Sequence, residues 1–202
     1  MRATSVEAPR RTRVDVRVRA AERVLLTTTE PTITLGRLQS GIGSLTIEAA
    51  CSAEVGDLRL GCLYELYSGP SSTVQLPHKR VAPPKSRRPV IIASHDRFER
   101  LAIDLRQCVD LRRLVVYAFS ESHTPLVWGG TLITSTFGGG RVELPLDTLQ
   151  SGDIGVLLSL YNLHGEFVLR AEMQTLFGEV REAARAYGFE RIAWLDNRTP
   201  VD

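Results

Sequence analysis

The chain has 202 residues, 43% hydrophobic and 24% charged, with 25 Lys and Arg against 23 Asp and Glu for a formal charge of +2. A chain of this length makes one ordinary domain and can bury roughly 70% of its unfolded surface without a disulfide or a metal. These figures exclude a fibrous chain, a wholly disordered one and a multidomain enzyme, and the near-neutral total implies no polyanionic partner by itself.

Residues 1–12 form a polar, basic stretch expected as a flexible tail, followed by a single domain over 13–195 and a polar tail over 196–202. From residue 13 the dominant period is two, the signature of strands with one buried face. Val14, Val16 and Val18 alternate with Arg13, Asp15, Arg17 and Arg19. Ile33 and Leu35 follow in the same pattern, then Leu45, Ile47 and Ala49. Leu60, Cys62, Tyr64 and Leu66 make a longer run. The stretch 77–89 (PHKRVAPPKSRRP) has four prolines, five Lys and Arg and no acid, and is expected as a loop between strands. Leu101, Ile103 and Leu105 alternate next. The stretches 114–119 (LVVYAF) and 154–161 (IGVLLSLY) are apolar on both faces, as strands covered on both sides are. Gly138, Gly139 and Gly140 separate a strand over 131–136 from one over 141–146 as a hairpin loop, and Gly165 closes a turn after Tyr161. One helix is expected over 178–187, with Val180, Ala183 or Ala184, and Tyr187 on one stripe and Gly188 as its stop. The fold class is therefore all-β, a sandwich of two mainly antiparallel sheets with one short C-terminal helix.

Cys51, Cys62 and Cys108 are odd in number and lack short spacings, so they are no disulfide framework and point to a reducing, cytoplasmic compartment. No window is long and apolar enough for a membrane span, and the first residues lack the apolar core of a signal peptide. Cys62 shares the face of Leu60 and Tyr64 and reads as core rather than nucleophile. The four histidines are scattered singly, His95 beside Asp96 being the most suggestive. Trp128 with Gly129 and Gly130 reads as packing at a strand start. The glycines at 138–140 lack the GK[ST] ending of a phosphate loop. No acid–base pair, metal cluster or activated nucleophile stands out, so no enzyme is expected.

The strands also have a familiar order. GDLRLGCLYEL (56–66) resembles the first strand motif of the TerD family, the tellurium-resistance and stress-response proteins. FERLAIDLRQCVDLRRLVVYAFS (98–120) resembles that family's next signature, and YNLHGEFVLRAEM (161–173) with the following helix and YGF (187–189) resembles its closing hairpin and helix. The resemblance implies a cytoplasmic bacterial β-sandwich that binds calcium through acidic loops at one end. It implies no catalysis, and a binding or scaffold role in tellurite resistance and stress response. The chain departs from the pattern where calcium would sit. Asp57-Leu58-Arg59 stands for an Asp-x-Asp pair, and Ser94-His95-Asp96-Arg97-Phe98-Glu99 stands for a long acidic loop. Calcium takes six to eight oxygens. Asp57, Asp96, Glu99 and Glu54 are the candidate metal ligands that remain, and Arg59 and Arg97 bring positive charge to the same place. Calcium binding is expected to be weakened or lost, at best of low affinity. Alternatively, the two arginines pair with the carboxylates as an ion-pair lock.

Charge is unevenly spread. Residues 77–100 hold seven basic against two acidic side chains, a net of +5. Lys79, Arg80, Lys85, Arg87 and Arg88 are candidate partner-binding residues, for an acidic or stress-response protein partner. The alternative is nucleic acid or an anionic membrane surface, although no aromatic residue near 77–90 is available to stack bases.

Overall fold

The computed structural model describes residues 17–201. In chain order the elements are β1 (Arg17–Val18), β2 (Arg23–Leu25), β3 (Thr32–Leu35), helix α1 (Arg37–Gly41), β4 (Ser44–Ala50), β5 (Leu58–Leu66) and β6 (Ser71–Gln75). There follow β7 (Val81–Ala82), β8 (Ile91–His95), β9 (Glu99–Asp104), β10 (Leu111–Ser120), β11 (Thr131–Ser135) and β12 (Arg141–Pro145). The chain closes with β13 (Ile154–Leu163), β14 (Glu166–Leu176) and helix α2 (Val180–Ala186).

These strands make two seven-stranded sheets, ordered β1-β3-β14-β13-β10-β5-β6 and β2-β12-β11-β4-β9-β8-β7. Among the described residues, only β1 with β3 and β2 with β12 run parallel. The main core lies between the sheets, where the alternating runs put Leu45, Ile47, Leu60, Cys62, Tyr64, Leu101 and Ile103 out of contact with water. A second core lies on the outer face of the first sheet. There Leu63, Val115, Tyr117, Phe119, Ile154 and Val156 meet Val180, Ala183, Ala184, Phe189 and Ile192. This explains the two doubly apolar stretches: β10 sends Leu114, Val116 and Ala118 to one core and Val115, Tyr117 and Phe119 to the other.

Several expectations change in detail. Val14 and Val16 lie outside the described residues, as does the 1–12 tail, and only Arg17–Val18 is seen as strand. The stretch 77–89 is not loop throughout, because Val81–Ala82 pairs with Ile91 and Ile92. The C-terminal helix spans Val180–Ala186, with Glu179 as its N-cap in a reciprocal capping box with Glu182. Residues 196–201 fold back on the body, where Trp194 bridges to Pro200 and Arg198 is anchored. The β13–β14 connection is a two-residue turn, His164-Gly165, with both residues at positive φ (56° and 85°) as a type I′ hairpin requires. Trp128 packs across the backbone of Gly155 on β13, whose missing side chain leaves the ring its space.

Candidate functional site

The start of β5, the end of β10 and the β8–β9 turn gather at one end of the sandwich. β6 pairs with β5 only over Gly61–Glu65, so the Leu60 N–H on that edge has no strand to meet. Glu99 alternates in β9 with Leu101 and Ile103, and so points between the sheets. Its carboxylate takes the Leu60 N–H at 3.3 Å and an Arg59 Nη1–H at 2.7 Å. His95 Nδ1 lies 2.8 Å from the same Glu99 Oε1. The Glu99 side chain is only 4% exposed, so these contacts offset a desolvation cost that an unpaired carboxylate there could not sustain. Arg59 then donates from Nε (2.8 Å) and Nη2 (2.5 Å) to Glu121 Oε2. One guanidinium thus spans two carboxylates, and its bonds to Glu99 and Glu121 raise its own pKa further.

Asp57 lies beside this pair, but its oxygens are occupied separately. Oδ1 accepts the Ser120 hydroxyl and Oδ2 the Ser122 N–H, both at 2.6 Å. Desolvation pushes the Asp57 carboxyl up, but the bonds from Ser120 and Ser122 outweigh it and hold it below the usual carboxylate range. Ser120 Oγ in turn accepts the Thr124 N–H at 3.0 Å.

The C-terminal segment borders the same end. Arg198 bonds to Glu179, lies 5.2 Å from the Phe119 ring centroid, and donates to the Ser120 and Glu121 carbonyls. It also donates to His123 Nδ1 at 2.9 Å. Because a guanidinium only donates, that nitrogen is an acceptor, and its 3.2 Å approach to Glu179 is not a hydrogen bond. Between this segment and the β6–β7 connection opens a cleft of about 430 Å³, lined by Gln75, His78, Phe119, Glu121, Glu179 and Arg198 among others.

The four sequence-predicted metal ligands are not used as a set. Glu99 and Asp57 are engaged as described. Asp96 is exposed in the β8–β9 turn, where its backbone amide bonds to the Phe98 carbonyl. Glu54 is exposed in the short 3-10 turn Ala53–Val55. Arg59 forms the pairs that an ion-pair lock requires, whereas Arg97 stacks over Phe98 at 5.3 Å and has no carboxylate within 4.0 Å among the described residues. Among the described residues, no group of three or more His, Cys, Asp and Glu converges as a metal site. Sequence reasoning missed Glu121, Glu179, His123 and Arg198. Only Glu179 carried a signal, as the first residue of an E-x-x-E capping box.

The candidate partner-binding residues lie at and beyond the β6–β7 connection, at the edge where β6 ends one sheet and β7 the other. Lys79 and Arg80 precede β7, while Lys85, Arg87 and Arg88 follow it. Arg80, Lys85, Arg87 and Arg88 are exposed and have no carboxylate within 4.0 Å among the described residues. The cysteines are free thiols, and burial pushes the Cys62 thiol far above its ordinary pKa. No described helix is long and apolar enough to cross a membrane. Compared with known proteins, the chain matches no family model, and no curated protein is found similar to it.

Proposed function

We propose that this chain is a non-catalytic, TerD-like binding or scaffold module in which Arg59 takes the place of a calcium ion. The supporting observation is the single guanidinium spanning Glu99 and Glu121. A calcium ion would need these carboxylates free, together with Asp57, whose two oxygens already hold Ser120 and Ser122. The guanidinium supplies a fixed positive charge in place of an exchangeable one, so the end of the sandwich keeps its shape whatever the calcium level. The free thiols favour a reducing, cytoplasmic setting, and a stress-response or tellurite-resistance association follows from the sequence resemblance.

Calorimetric titration of the metal-free protein with calcium tests this directly. We expect no stoichiometric binding, and a Tm that neither calcium nor a chelator moves. Tight binding that disappears on Asp57→Ala would overturn the reading. Arg59→Asp removes the cation and restores a second carboxylate, so its Tm should rise on adding calcium. A calcium-indifferent Arg59→Asp protein would argue that the arginine occupies no former ion position.

A further inference from the structure

We infer that the loop tip over residues 83–89 is an electrostatic docking site for the phosphodiester backbone of nucleic acid. The tip is a closed structure. The Val90 N–H bonds to the Ala82 carbonyl across its neck at 2.7 Å, and the Ser86 N–H bonds to the Pro83 carbonyl at 3.2 Å. The Arg88 N–H bonds to Ser86 Oγ at 3.1 Å. Pro84 and Lys85 therefore occupy the centre of a tight turn, with Lys85 at φ +62°. That conformation favours glycine, and a lysine held there is strained by its backbone. Lys85, Arg87 and Arg88 are exposed around this tip, with Arg80 exposed on the strand side of its neck. None of the four has a carboxylate within 4.0 Å among the described residues. Four cations in nine residues, with no acid among them, concentrate positive charge at this tip.

Three of the four are arginines, whose planar fork matches a phosphate with two parallel hydrogen bonds. The tip carries no aromatic side chain, so it would follow backbone rather than stack bases. It has no long aliphatic or aromatic side chain to insert into a bilayer, so an anionic membrane would meet it by charge alone. An acidic peptide would gain little from strand addition, because β7 has two residues and runs straight into Pro83 and Pro84. A groove with phosphates on both walls fits a narrow basic tip best. This inference uses a surface separate from Arg59, and stands or falls independently of calcium.

The test is fluorescence anisotropy of a short labelled duplex of random sequence, titrated with the full chain over a salt series. Four phosphate contacts give a slope of log affinity against log salt of about −3.6, and a loss of about a hundredfold between 50 and 200 mM. The Arg87→Ala, Arg88→Ala double variant should retain its Tm and flatten the slope by about 2. Lys85→Gly relieves the backbone strain, so its Tm should stay level or rise while its affinity falls. That opposition separates a binding role from a structural one. Absent or salt-insensitive binding at low ionic strength overturns the inference. So does equal competition by polyglutamate, or binding to phosphatidylserine vesicles without binding to duplex.

Discussion

Gly61 sits in the middle of β5, facing the outer core. A Cβ there would lie 2.7 Å from the ring of Tyr117. Tyr117 is fully buried and its hydroxyl is held by Gln75, so the ring has nowhere to go. Gly61→Ala should therefore lower stability by about 1–3 kcal/mol, read from the urea midpoint. Gly155→Ala brings a Cβ still closer, 2.4 Å from the Trp128 ring, yet Trp128 is only partly buried and can swing outward. Its cost should be the smaller, with a change in tryptophan emission, and the reverse order would contradict this packing account. At Glu99, removing the carboxylate leaves the Leu60 N–H without its acceptor and Arg59 with Glu121 as its remaining partner. Glu99→Ala should cost about 1–3 kcal/mol, and Glu99→Gln less, because an amide oxygen still accepts. Neither glycine's role was legible in the sequence, since a strand glycine signals a close approach without naming what approaches. Arg59 was conspicuous as a base in an acidic motif, but its Glu121 partner lies 62 positions away.

At the scale of elements, what the sequence showed well was what periodicity and turn chemistry encode. The central strands β10 and β13 were legible as doubly apolar runs, and the β11–β12 and β13–β14 turns were legible from their glycines. The five-residue α1 has no side-chain cap and no periodicity to announce it. The three-residue strand β2 is too short for alternation to mark, whereas β1 falls within the alternating run that ends at Arg19. The covering of the first sheet by residues 180–192 depends on a few long-range anchors. Arg113 is the chief of these. It donates to Glu65 at 2.6 Å, to the Tyr187 carbonyl at 3.0 Å and to the Gly188 carbonyl at 2.8 Å. It also lies 4.1 Å from the Phe189 ring centroid. Glu65 is 6% exposed, and Arg113→Ala leaves it with Arg112 alone. We expect a loss of about 3–5 kcal/mol and faster hydrogen exchange in α2. Arg113→Lys should recover only part of this, because an ammonium cannot reach all three acceptors in one plane.

Over the whole molecule, the fixed ion pairs set how stability responds to pH. Arg23 and Arg141 hold the Glu143 carboxyl below its usual range, the Arg23 hydrogen bond being the largest cause. Arg106 does the same for Asp104 through its side-chain bond, and the Arg198 and Thr199 N–H groups lower Asp196. With Asp57, four carboxyls therefore have folded pKa values below their unfolded ones. A depressed carboxyl stabilises the fold above its unfolded pKa, and that contribution disappears as pH falls through the folded value. The unfolded chain takes up these protons first, so stability must fall with acidification in that window. Unfolded carboxyls titrate near 4, so the urea midpoint should stay level from neutral pH to about pH 5 and drop progressively below about pH 4. These pairs are spread over both sheets and the C-terminal segment, so the loss should show by far-UV CD and tryptophan fluorescence alike. A midpoint that fell steeply between pH 7 and 5.5 would contradict this account, because carboxyls with depressed folded values lose their contribution only in the lower window. Raised salt should soften the acid response, because exposed members of these pairs such as Arg23 and Arg106 are screened. The part that persists in salt then reports Asp57 and Asp196, whose main partners are neutral hydroxyl and amide groups rather than cations.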